Sequence, residues 1–265
     1  MIRHKKRSHI LSFAALILIV VLAFVCGMGK RANAQMQEDD KMTFESANQN
    51  YREGKYSDAI RLYQGLAEKY PGQGVFFYNL GNSYFRNGAL GKAILSYERA
   101  RLHEPRDKDI YYNLKYLNGL LEYRVDDKRN WYIRTGEIVL QRFTVKEMGV
   151  LLLMTYFTFM AGNSFVVFFL PGEPWKWKRK AALTLFLVFA VLFGLKQVEE
   201  NVLKDAIVTT QEAEIRYGPS AQDQVAFRLG EGLKVQVIDS REKWSRILLA
   251  NRESGWVRQS DIAIV

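Results

Sequence analysis

The apolar positions of this chain fall into blocks with different periods. Ile10 to Met28 is apolar apart from Ser12, Cys26 and Gly27. Between Thr43 and Tyr123 apolar residues recur at the spacing of one helix face after another, punctuated by Gly and Pro. Met148 to Leu170 runs without a single charge, and Ala181 to Leu195 is a second, shorter apolar run. From Ala206 onward the alternation changes to period two, which predicts short strands. The blocks predict a multidomain α + β membrane protein: a helical repeat domain at 43–123, a transmembrane helical hairpin, and a small C-terminal β domain at 204–265.

The first block has the form of an export signal. A basic stretch, Met1-Ile-Arg-His-Lys-Lys-Arg7, precedes the apolar run, and Ala32-Asn33-Ala34 supplies a small-x-small cleavage site. Segment 1–34 is therefore a signal peptide or, since the run is long, an uncleaved anchor; either sends Gln35 across the membrane. A lipoprotein site at Cys26 is rejected because Val25 precedes it where Gly or Ala is needed. The run at 148–170 would span about 34 Å as a helix, and 181–198 about 27 Å, both enough for a bilayer. The predicted loop 171–180 carries Lys176, Lys178, Arg179 and Lys180 against Glu173, and so belongs on the cytoplasmic side. Trp175 and Trp177 suit the interfacial belt there, and Lys196 is expected to snorkel at the other end. Residues 124–147 read as a juxtamembrane linker or as a helix lying in the outer interface, the two readings being equally open.

Within 43–123 two stretches align at a constant offset of 34: Gly54 with Gly88, Ala59 with Ala93, Ile60 with Ile94, Tyr63 with Tyr97 and Pro71 with Pro105. Tyr111-Tyr-Asn-Leu114 begins a third copy, at the same offset from Phe77-Tyr-Asn-Leu80. Each unit predicts a helix, a turn at Gly, a second helix and a Pro that stops it. The pattern resembles the tetratricopeptide repeat, with units at 43–71 and 77–105 and a capping helix at 108–123. The units depart from each other at Ser46-Ala47 against Leu80-Gly81, and Lys115 replaces the Gly of the third copy. The resemblance implies an α-α superhelix whose first helices line a peptide groove. Its candidate lining is Asn48, Tyr51, Arg52, Tyr78, Asn82, Phe85, Arg86, Tyr112 and Tyr116. Asn and Arg there suit a peptide backbone or carboxylate; alternatively the aromatic residues pack and the polar ones are merely solvated.

In the β block, Ile215-Arg-Tyr-Gly-Pro-Ser220, Leu229-Gly-Glu-Gly232, Lys243-Trp244 and Gly255-Trp256-Val257 resemble the bacterial SH3 domain. The resemblance implies a small barrel that binds peptide or cell-wall glycopeptide, or only packs. Tyr217, Trp244 and Trp256 are the candidate ligand surface, with completion of the barrel core the competing role for both Trp.

Composition narrows the chemistry. Of 38 basic residues six lie in the leader at 1–34, which holds no acid, so the remainder has 32 against 28 acidic residues, or +4. The basic balance is thus mainly a targeting feature and gives no reason to expect nucleic acid. The one cysteine is Cys26, and past the leader only His103 of the three histidines remains. No catalytic residue, metal site or cofactor is expected, and no phosphate loop or dinucleotide fingerprint occurs. The carboxylate pairs Asp126-Asp127 and Glu199-Glu200 read as solvated charge. The order of segments is similar to that of the BatE family of the Bat aerotolerance operon of some Gram-negative bacteria. That resemblance implies partners among von Willebrand A-type Bat membrane proteins and a MoxR-type ATPase. The expectation is a non-enzymatic adaptor in the cytoplasmic membrane with both folded domains facing the periplasm. Peptidoglycan attachment through the barrel is the alternative.

Overall fold

The structure is a computed structural model that describes residues 36–123, 125, 130–169, 176–201 and 204–265. The leader at 1–34, Asp126-Asp127 and the start of the basic loop (171–175, with Trp175) lie outside the described residues, as do the side chains of Glu199 and Glu200. The described chain forms eight helices followed by a seven-stranded antiparallel sheet, and divides into two compact units.

One unit holds residues 145–196. Helices α7 (Val145–Phe169) and α8 (Lys176–Asn201) each contain a stretch, of 20 and 19 residues, long and apolar enough to cross a bilayer. They pair antiparallel: Tyr156 meets Phe186 at 5.9 Å between ring centroids, and Gly149 lies beside Phe193. About half of their described apolar side chains, such as Met154, Leu185 and Val191, are exposed. Because α8 starts at Lys176, the basic residues Lys176 to Lys180 are its first turns rather than a loop. Lys196 is buried with a partner of its own instead of reaching outward, since a buried ammonium must be satisfied locally.

The other unit holds residues 36–144 and 197–265. Helices α1 (Glu38–Arg52), α2 (Tyr56–Lys69), α3 (Gly74–Arg86), α4 (Leu90–His103) and α5 (Lys108–Leu120) pack each against the next. Gly54 and Gly88 make the two equivalent turns at φ +77° and +80°, a conformation only Gly adopts cheaply. Gly81 lets α4 approach closely, since a Cβ there would sit 3.0 Å from the Tyr97 ring. The chain leaves helix at Leu121 rather than continuing to 123. Leu121 and Tyr123 are drawn off to cover Gly232 and Gly230 of the sheet, and Val125 packs on the sheet's own core. A short helix, α6 (Trp131–Leu140), follows.

The strands are β1 (Lys204–Val208), β2 (Glu212–Arg216), β3 (Val225–Gly230), β4 (Lys234–Arg241), β5 (Trp244–Leu248), β6 (Ser254–Arg258) and β7 (Ile262–Ile264), in spatial order β3-β2-β6-β5-β4-β1-β7. All seven contribute to one apolar cluster: Ala206, Ala213, Ile215, Leu229, Val235, Ile247, Val257 and Ile262 among them. Strands from both ends of the order meet in one core only if the sheet rolls around it. Strand β1 is buried on both faces. Ala206 and Val208 enter the sheet's core, while Ile207, between them, joins the helix core with Ile94 and Leu117.

Candidate functional site

The first helices of the repeated units bring the groove candidates onto one side, and the geometry separates them by role. The Tyr63 hydroxyl donates to Asn48 Oδ1 at 2.7 Å, and the Tyr97 hydroxyl to Asn82 Oδ1 at 2.6 Å. The same bond thus recurs in both units and ties each second helix to its first. Tyr97 Oη also accepts from Asn113 Nδ2 at 3.3 Å. Burial pushes the Tyr63 hydroxyl up to about 12 and raises Tyr97 as well, so both stay neutral donors. Asn48 and Asn82 therefore spend their carbonyl oxygens on the frame.

Around that frame lies an aromatic and cationic surface. Tyr51, half-buried, meets Tyr56 edge-on at 5.6 Å. Arg86 donates from Nε to the Tyr56 hydroxyl at 3.1 Å and covers its ring at 5.5 Å. Burial raises the Tyr51 hydroxyl against the opposing pull of Arg86, which places the two within electrostatic reach. Tyr78 packs edge-on against Tyr97, and Phe85 against Tyr116 at 6.0 Å. Arg52 donates to Gln49 Oε1 at 2.9 Å and is exposed. Arg86, Tyr112 and Tyr116 are exposed too, so with Arg52 they are the candidates a partner can reach. Tyr56 and Asn113 belong to this surface without having been singled out in the sequence. Asn113 was signalled by its place one repeat offset after Asn79; Tyr56 had no such signal, because its counterpart is Leu90.

On the sheet, directly opposed residues share a face. Arg241 opposes Trp244, Trp244 opposes Arg258, Arg246 opposes Trp256, and Arg216 opposes Trp256. These side chains all lie on the side away from Ile247 and Val257. Trp256 is buried, only 7% exposed, on this opposite side of the sheet, with the Arg241 guanidinium over its ring at 5.2 Å. Arg258 lies over Trp244 at 5.9 Å. Trp244 is thus half-buried among these arginines and Trp256 lies buried beneath them, while the inner cluster is built of Ile, Leu, Val and Ala with Phe227 packed against it. Arg241 pairs with Asp239, and Arg216 with Glu214 and the 221 and 223 carbonyls. Among the described residues Arg246 and Arg258 have no ion-pair partner. Tyr217 is exposed in the loop after β2 and makes no ring contact with either Trp among the described residues.

The helices and the sheet meet along α4. The N-cap of α4 is Ala89, whose side chain cannot cap; Glu231, from the β3–β4 turn, fills that role by accepting from Gly91 N–H at 3.0 Å. Gly91 is needed because a Cβ would stand 2.6 Å from the Val208 carbonyl oxygen. Further along the helix, Glu98 is buried and bonded to Arg101 at 2.6 Å and Lys234 at 3.3 Å, and Lys234 also pairs with Asp205 at 2.7 Å. Burial opposes the Glu98 charge, but Lys234 and Arg101 together outweigh it and hold the carboxyl below its usual range. Burial likewise opposes the Lys234 charge, and Glu98 with Asp205 more than restores it. Arg99 donates to the Ile264 carbonyl at 2.5 Å.

Comparison with known families adds one assignment to this geometry: residues 209–263 match the bacterial SH3 domain family. No curated protein matches the chain.

Proposed function

We propose that the protein is a non-enzymatic adaptor anchored in the bacterial cytoplasmic membrane by α7 and α8, its helix–sheet unit facing the periplasm. The helical units read as tetratricopeptide repeats with a peptide-binding inner face, and the whole as a BatE-like component of an aerotolerance system. The observation that carries this reading is the Arg86–Tyr56–Tyr51 and Phe85–Tyr116 surface, with Arg52 and Tyr112 at its exposed margin. Cations over aromatic rings suit a peptide carboxylate beside an apolar side chain. The basic residues from Lys176 to Lys180 support the orientation.

The test is affinity capture of the full-length protein from gently solubilised membranes, compared with an Arg86→Glu, Tyr112→Ala, Tyr116→Ala variant. Asn82 is left intact because its loss would loosen α4. Von Willebrand A-type membrane proteins are expected with the wild type and at least several-fold less with the variant. Equal recovery would remove the groove assignment.

A second reading, peptidoglycan attachment, is favoured by the half-buried Trp244 on the arginine-bearing side of the sheet, away from Ile247 and Val257. Trp244→Ala in the full chain is expected to keep the wild-type thermal transition within a few degrees. Under this reading the same change abolishes co-sedimentation with purified peptidoglycan. Wild-type protein left in the supernatant would dispose of the second reading.

A further inference from the structure

Among the described residues, the apolar face of helix α6 is left exposed. Projected at 100° per residue, Trp131, Tyr132, Thr135, Ile138 and Val139 occupy an arc of about 120°. Trp131 is 73% exposed, Tyr132 58%, Ile138 52% and Val139 54%. The opposite side holds the groups that tie the helix down. Gln141 accepts from Arg101 Nη1 at 2.7 Å, and Glu137, half-buried, points the same way with a partner of its own. Arg101 is in turn fixed by Glu98, so the polar side of α6 is held to α4 and the apolar arc is left outward.

We infer that this arc lies in the lipid headgroup region of the membrane that α7 crosses, as a second, in-plane contact. The inference rests on the membrane reading of α7 proposed above. Only Gln141 to Thr144 separate α6 from α7. Even fully extended, they let the end of α6 stand no more than about 18 Å from the start of α7. Trp and Tyr with β-branched residues on one face, and Arg134 and Arg142 beside them, are the composition of a helix lying in an interface. Arg142 is exposed at the end nearest the span, where it meets lipid phosphates. Insertion to about 5–10 Å would submerge the arc while leaving Gln141 and Glu137 on the protein side. The consequence for the fold is a fixed attitude: the Arg101–Gln141 link transfers the tilt of an in-plane helix directly to α4.

The experiment places single nitroxide labels on the full chain, with Cys26→Ser, in vesicles of phosphatidylcholine and phosphatidylglycerol. The label sites are Ile138→Cys, Val188→Cys in α8 and Asn118→Cys on an exposed turn of α5. Collision with oxygen and with a nickel chelate is measured at each. The expected result is an oxygen-to-nickel ratio highest at 188, several-fold above the 118 value at 138, and lowest at 118. A label at 138 that matches 118 while 188 is immersed overturns the inference and leaves the spans standing. A label at 138 shielded from both reagents means protein covers the arc, a partner or a second copy, and also overturns it. A label at 188 open to nickel removes the membrane reading itself and the inference with it.

Discussion

Glu98→Ala is expected to destabilise the helix–sheet unit by about 3–5 kcal/mol, the usual cost of stranding buried charge partners. The loss leaves Lys234 and Arg101 facing each other without the shared carboxylate, relieved by Asp205 and Gln141. Urea unfolding of the detergent-solubilised protein checks the size, and hydrogen exchange in α4 and β4 checks the place. The companion Glu98→Met with Lys234→Met should recover only part of the loss: it removes the Lys234–Arg101 repulsion but leaves Arg101 with Gln141 alone and Asp205, about one-third exposed, without its lysine. A loss below about 1 kcal/mol for Glu98→Ala would mean the cluster is hydrated and energetically idle. The pH dependence has a definite sign. Glu98 is lowered from its ordinary 4.5, so its contribution is complete above that value and disappears as pH falls through the lower folded-state value. Lys234 is raised from its ordinary 10.5, so its contribution is complete below that value and disappears only as pH climbs through the higher one. Between those limits the contact should be insensitive to pH.

Gly91→Val should separate the two halves of the unit without unfolding either. The added side chain would press on the Val208 carbonyl and the Gly232 amide, both backbone, so neither can rotate aside. Overpacking of this kind costs about 1–3 kcal/mol. Moving Glu231 off the α4 terminus adds about 1 kcal/mol for the lost cap. The reporter is the Gly232 amide, which donates to Val208 O at 2.8 Å; its exchange should rise along with that of the Ile207 region, while Ile247 and Val257 stay protected. Gly88→Ala is the control. It has the same kind of turn strain at φ +80° but nothing within 4 Å, so it should cost about 1 kcal/mol and leave the sheet's exchange unchanged. Equal effects from the two changes would show that Gly91 matters only for helix propensity.

The order of helices and then strands was legible because each segment's period reports its own buried face. The period-two alternation from Ala206 and the Gly-Trp-Val of β6 pointed to the bacterial SH3 domain that the family match supports. The roles of the two tryptophans were not legible. Alternation shows that Trp256 and Val257 face opposite ways, but which way is inward depends on how the sheet rolls. Asn48 and Asn82 stood out in the sequence as polar groups on first helices. That their acceptors are already taken by Tyr63 and Tyr97 depends on the helix–helix distance that Gly81 and Ala47 permit. The helix–sheet contact had no local signal at all. Gly91 is unremarked among the glycines of the chain, and Glu231 reads as an ordinary turn residue 140 positions away.

Strand β1 constrains how this chain can be altered by descent. It ends at Val208, just before the residues matched to the SH3 family begin at 209, and, like the neighbouring β7, it serves both cores. A barrel exchanged as a cassette at that boundary would inherit β1 with Ile207 already committed to the helices, yet would need its own Gly232 and Glu231 to fit Ile94 and Gly91. Recombination here is therefore tolerated only as a package of strand, turn and helix, and the segments should be inherited together rather than shuffled as independent modules.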